Sequence, residues 1–175
     1  MLYRNRRGVT RERMKIVAIV GDSGSGKTRL ITRLIPELKK QGVSVAVIKH
    51  CAHGFDLGGR RKDSSKVLAA GAVGAGLVSG GMWAVIRTGA KVPSLTALAR
   101  SAFSGMDIVL VEGGRGDSKL KKIEVVRSGG ASGVTVPAPE LAAVVADVPI
   151  PACVPVFRPD ETARLAAWLI KGGLR

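Results

Sequence analysis

The residues best equipped for chemistry lie in one run, Gly21-Asp22-Ser23-Gly24-Ser25-Gly26-Lys27-Thr28, which satisfies G-x-x-x-x-G-K-[ST] at every fixed position. Glycines let the backbone curl so that consecutive N–H groups face one centre, where an anion also meets the positive end of the following helix. Such a run reads as a phosphate-binding loop. Gly21, Ser23, Gly24, Ser25, Gly26, Thr28 and Arg29 are its ligand-binding candidates. Lys27 reaches toward the β- and γ-phosphates and is the first catalytic candidate, and Thr28 offers its hydroxyl to a bridging Mg²⁺ ion.

The elements around the run favour this reading over a glycine-rich turn that merely links two elements. Met14 to Val20 is a short apolar, β-rich segment ending at Gly21, as a buried parallel strand should. Downstream, Leu30, Ile31, Leu34, Ile35 and Leu38 recur at helical spacing and stop at Gly42, while Pro36 predicts a kink or local break.

Val43 to Ile48 reads as a second parallel strand that brings Lys49 and His50 to the ligand-binding edge of an α/β sheet. The segment from Lys49 to Asp63 concentrates His50, Cys51, His53, Asp56 and Asp63. It admits a soft-metal site on His50, Cys51 and His53, or a magnesium or nucleotide-sensing loop in which Asp56 or Asp63 holds metal-bound water. For Asp63 a helix N-cap is equally open, ahead of the periodic stretch Val67 to Ala70. Gly74–Ser79 and Met82–Arg87, separated by Gly80-Gly81, predict a hairpin that joins the sheet. A helix follows over about 94–103.

Asp107 to Glu112 is a third buried strand ending in a carboxylate, the layout of a Walker B element. An acid at that place can hold magnesium or the attacking water from across the phosphate loop, so Glu112 is a catalytic and metal candidate beside Asp63 and Thr28. Gly113 to Asp117 forms a flexible segment that can respond to the nucleotide's state. The alternation in Lys122-Ile123-Glu124-Val125-Val126 predicts a half-exposed or edge strand, residues 128–140 a loop, Ala142 to Asp147 another strand ending in an acid, and Asp160-Glu161 the start of a last helix.

The chain has 175 residues, enough for one domain with a substantial core and too few for two of ordinary size. A single P-loop α/β domain is expected over 14–175, with a mostly parallel sheet, an antiparallel hairpin and helices on both faces. The net charge of +15 suits phosphate-rich ligands or a polyanion. Nucleic acid is disfavoured, because 3% aromatic residues leave no row of stacking platforms. Residues 1–13 are basic and read as a disordered leader or an over-extended start ahead of Met14, in preference to a basic arm. No apolar run reaches spanning length and no cleavage signal follows the basic stretch, so a cytoplasmic protein with reduced Cys51 and Cys153 is expected, without a membrane partner.

Taken together, these segments resemble the MobB family, the molybdopterin-guanine dinucleotide biosynthesis adapter proteins. The resemblance rests on Gly21 to Thr28; Val47-Ile48-Lys49-His50 with His53 and Phe55-Asp56; Lys62-Asp63-Ser64 with Ala70-Gly71-Ala72; Leu110-Val111-Glu112-Gly113; and Lys122-Ile123-Glu124-Val125. It implies a homodimeric GTP- and Mg²⁺-binding protein, at most a slow GTP hydrolase. Its implied partners are a MobA-type guanylyltransferase and molybdopterin. Carried over by position, Gly24 to Thr28 bind phosphates and magnesium, Asp63 and Glu112 lie near the metal, and Asp147 matches an acid at the guanine site. Gly58, Gly114-Arg115 and Ala146 depart from the family pattern of Asp, Phe-Lys and Thr. The competing readings are a small-molecule kinase using ATP, with Arg60 and Arg61 as a rudimentary lid, a metal-delivery GTPase, and a nucleic-acid ATPase.

Overall fold

A computed structural model describes residues 3–4, 10–11, 14–51, 54, 63–89, 91–129 and 133–174. His53, Asp56, Arg60 and Arg61 lie outside the described residues, as do the side chains of the basic leader. Within that leader the backbone forms one small antiparallel ladder, Tyr3–Arg4 (β1) with Thr10–Arg11 (β2). By internal packing the chain divides into two units, residues 1–50 with 94–175, and residues 51–93.

The larger unit is built on a six-stranded, wholly parallel sheet. Its strands are Lys15–Val20 (β3), Val45–Lys49 (β4), Ile108–Glu112 (β7), Lys121–Val126 (β8), Leu141–Ala146 (β9) and Val156–Phe157 (β10), in the order β10-β9-β8-β3-β7-β4. Strand β3 is central, with Val17 opposite Leu110 on one side and Ile19 opposite Ile123 on the other. Side chains alternate across the sheet and so divide into two cores. Val17, Ile19, Leu110, Ile123 and Val145 pack with Leu30, Leu34 and Leu38 of helix α1 (Lys27–Lys40) and Leu165 and Leu169 of helix α4 (Thr162–Ile170). Ala18, Val20, Val109, Val111 and Val144 face the other way, toward Ala99 of helix α3 (Leu95–Ala102). Helices therefore cover both faces, and each fully buried Leu or Ile contributes about 1.5–3 kcal/mol.

Helix α3 begins as its sequence dictates, with the Ser94 hydroxyl accepting from the N–H of Ala97 at 3.2 Å. Helix α1 runs unbroken through Pro36, so the expected break is absent. Pro36 and Thr32, the residue whose carbonyl loses its i+4 donor, both lie on the exposed side, where water can take the orphaned acceptor.

The expectation of an edge strand over 122–126 is overturned. Strand β8 lies inside the sheet between β3 and β9, with Lys122 at 0% and Glu124 at 2% exposure. Its polar side chains are buried because each is fully engaged. Lys122 Nζ donates to the carbonyls of Asp117 (2.7 Å) and Leu120 (3.3 Å) and to the Glu140 carboxylate. Glu124 accepts the backbone N–H groups of Thr135 and Val136, both at 2.9 Å, the Thr135 hydroxyl and the Arg115 guanidinium. Buried charges are tolerated when compensated in this way.

The smaller unit holds helix α2 (Asp63–Ala69) and strands Gly74–Ser79 (β5) and Met82–Arg87 (β6). The hairpin has its predicted bounds, but among the described residues β5 and β6 pair only with each other and do not enter the main sheet. The two-residue turn completes a local ladder. Most of the apolar side chains on it are exposed, whereas the inner strands β3, β7, β8 and β9 of the main sheet are largely buried.

Candidate functional site

The phosphate loop leaves the C-terminal end of β3, where its neighbours β7 and β8 also end. Gly21 cannot be replaced without distortion: φ is +149°, and a Cβ would lie 2.4 Å from the Val125 carbonyl oxygen of β8. Gly26 adopts the left-handed conformation (φ 94°) and stands at the N-cap of α1, which no side chain caps and whose first turn holds no acid. The helix therefore presents its positive end and free N–H groups to the loop. Ser25 Oγ is buried and has no hydrogen-bond partner. These features fit a loop waiting for a polar, negatively charged ligand.

Around that cradle the structure gathers most of the predicted residues. Lys27 Nζ donates to the carbonyls of Gly21 (3.0 Å) and Asp22 (2.6 Å), folded back over the loop. Thr28 Oγ1 donates to Glu112 Oε1 at 2.8 Å. The hydroxyl and carboxylate form an adjacent pair of hard oxygen donors, the set that suits Mg²⁺. When bound there, the ion would neutralise charge on the β- and γ-phosphate oxygens, with Thr28 and Glu112 as its protein ligands. Lys49, at the end of β4, holds the same Glu112 oxygen from 3.8 Å. Ser23 and Arg29 are exposed on the loop and the first turn of α1.

Asp147 also reaches this edge, just past β9. Its Oδ1 accepts the Ser128 N–H at 2.8 Å, and its Oδ2 lies 3.9 Å from Arg127 Nε. Asp63 belongs to the other unit, where it is exposed, forms the first residue of α2 and pairs with Lys66 at 3.2 Å. His50 and Cys51 are described, and among the described residues no three His, Cys, Asp or Glu side chains gather as a metal site.

Three basic residues at the site carry no role in the sequence reading, and Arg127 is absent from it altogether. Arg127 sits against the loop, with Nη2 at 3.3 Å from where a Cβ of Gly26 would stand. Arg115 spans from Glu124 (3.3 Å) to Asp22 of the loop (3.7 Å). Lys49 was recognised as edge-placed without a role. The available signal was an arginine directly after an apolar strand, and the edge-strand assignment of β8 concealed it.

The family described as Molybdopterin guanine dinucleotide synthesis protein B, MobB, matches residues 16–147. The chain is 39% identical over 99 residues to the molybdopterin-guanine dinucleotide biosynthesis adapter protein of Haemophilus influenzae, covering 56% of each chain. It is 32% identical over 117 residues to the Escherichia coli protein of the same description, covering 65% of this chain and 66% of that one. The matched stretches thus span between half and two-thirds of these relatives. A crystal structure of molybdopterin-guanine biosynthesis protein B superposes with a TM-score of 0.67 at 30% identity, covering 89% of this chain and 98% of the other. Among the described residues no helix is long and apolar enough to cross a membrane.

Proposed function

Since the chain belongs to the MobB family and so has its place in molybdenum cofactor biosynthesis, we propose that it acts there as a GTP·Mg²⁺-binding adapter, which assists a guanylyltransferase in attaching GMP to molybdopterin. The observation that carries this reading is the 2.8 Å pairing of Thr28 with Glu112 beside an uncapped, acid-free helix start. Phosphates would lie on the loop N–H groups and Lys27, with magnesium on Thr28 and Glu112. The net charge of +15 suits both GTP and the phosphate of molybdopterin. The arrangement binds and positions phosphates, and any hydrolysis would be slow without a residue supplied by a partner.

Two copies of the chain would form the working unit. Support comes from the β5–β6 hairpin, which exposes Val78 (88%) and its cross-strand partner Trp83 (72%), with Val85 on the same face.

Equilibrium binding of GTP and ATP analogues in the presence of magnesium tests the proposal. A GTP preference that Lys27→Ala abolishes is the expected result. Preference for ATP would turn the reading toward a small-molecule kinase.

A further inference from the structure

We infer that Arg115 distinguishes the triphosphate from the diphosphate: its outer nitrogen leaves Asp22 of the phosphate loop and donates to the terminal phosphate of bound GTP. This rests on the GTP-binding reading and gives a role to a residue outside both the loop motif and the magnesium pair.

Arg115 lies three residues past Glu112, in the segment that follows β7. That segment is folded onto the sheet edge, the Gly113 N–H donating to the Ile19 carbonyl of β3 at 2.9 Å and the Asp117 N–H to the Gly114 carbonyl at 3.0 Å. Gly114 has a φ of +75°, and a Cβ there would stand 2.8 Å from Leu95 Cδ1. Glycine thus permits the turn that brings Arg115 back to the loop.

The guanidinium has a fixed end and a loose end. Nη1 donates to Glu124 Oε1 at 3.3 Å and to the Thr135 hydroxyl, which in turn donates to Glu124. Because the Glu124 side chain is only 3% exposed, this end is anchored in the protein. Nη2 faces Asp22 Oδ1 at 3.7 Å, too long for a hydrogen bond. The side chains of that pair are 43% and 55% exposed, so water screens their attraction and little holds Nη2 in place.

Asp22 marks the end of the loop where the outer phosphates belong. Lys27, the residue that meets β- and γ-phosphates, rests its Nζ on the carbonyls of Gly21 and Asp22. A γ-phosphate arriving there meets the Asp22 carboxylate, a like charge that opposes it, and Arg115, a planar donor suited to phosphate oxygens. Charge-assisted hydrogen bonds to phosphate outweigh a screened ion pair, so Nη2 changes partner while Nη1 stays on Glu124. A diphosphate lacks the group that draws it across.

The test measures equilibrium binding of GDP and a non-hydrolysable GTP analogue, with magnesium, to the wild type, Arg115→Ala, Asp22→Asn and the double variant, each checked for folding by circular dichroism. Arg115→Ala should lose about tenfold or more in affinity for the GTP analogue, with GDP affinity little changed. Asp22→Asn, which removes the competing carboxylate, should gain about two- to fivefold for the GTP analogue alone. The double variant should keep the poor triphosphate preference of Arg115→Ala. Equal losses for both nucleotides in Arg115→Ala would make Arg115 a prop for the loop and overturn the inference. Recovery of the wild-type preference in the double variant would reduce Arg115 to a counter-ion of Asp22 and overturn it too. Should Arg115→Ala not fold, Asp22→Asn decides alone, and a preference unchanged or lowered there overturns the inference. A wild type that prefers ATP would instead overturn the GTP reading, and the same comparison with ATP analogue and ADP would still judge Arg115.

Discussion

Glu112 serves two neighbours with one oxygen, accepting from Thr28 at 2.8 Å and facing Lys49 at 3.8 Å. In Glu112→Gln the amide oxygen still accepts from Thr28, but the charge that would hold a divalent cation is gone. Nucleotide affinity in this variant should respond little to EDTA, whereas wild-type affinity should fall about tenfold or more when magnesium is removed; titration with and without the chelator checks this. Glu124 is the contrasting carboxylate, committed to the fold. Glu124→Ala should cost about 3–5 kcal/mol of stability, measured by urea denaturation, because buried N–H groups of Thr135 and Val136 lose their acceptor beside an uncompensated Arg115. The two acids were unequally legible in the sequence. Glu112 follows four apolar residues, and its strand pattern alone announces its place. Glu124 sits in a polar–apolar alternation that usually marks an exposed face, and its partners arrive from residues 115 and 135–136, a separation no local pattern encodes.

Helix α4 shows how an element is fixed at both ends. Lys15 Nζ donates to the carbonyls of Leu169 (3.1 Å) and Ile170 (2.8 Å) in its last turn, a cation at the negative end of the helix. At its start the Glu161 carboxyl is held below its ordinary value of 4.5, first by the Arg158 N–H and then by the Arg164 side chain. A carboxyl depressed in the folded state contributes stability above its unfolded value and loses it as pH falls through the folded one. The melting temperature of Glu161→Gln should therefore trail the wild type at pH 7 and converge with it below pH 4.5, as thermal scans across that range would show. Elements with local signatures were legible: the phosphate loop with α1, the serine-capped α3, and the hairpin turn. The two-residue strand β10 was not, because Val156–Phe157 is too short to show a period and exists through its pairing with β9.

The molecule divides its labours between a parallel α/β unit carrying the phosphate loop and a small unit of residues 51–93 whose apolar hairpin is uncovered. If a second copy covers that hairpin, Trp83→Lys should convert a dimer to a monomer in sedimentation velocity at micromolar concentration, while GTP affinity stays unchanged. The sequence disclosed the hairpin and its bounds but not its separation from the main sheet, since strand pairing within a turn is local and sheet membership is not.

The central position of β3 also constrains how the protein can be made. Its pairing partners start only at Ile108, 93 residues after Lys15, and at Lys121. At roughly 5–20 residues per second of synthesis, the strand waits on the order of 5–20 s with both edges open. Gly21 packs on the Val125 carbonyl, so the nucleotide cradle has no wall until the ribosome has passed β8. Every earlier nascent chain carries an apolar, unpaired strand, a candidate for capture by chaperones during translation.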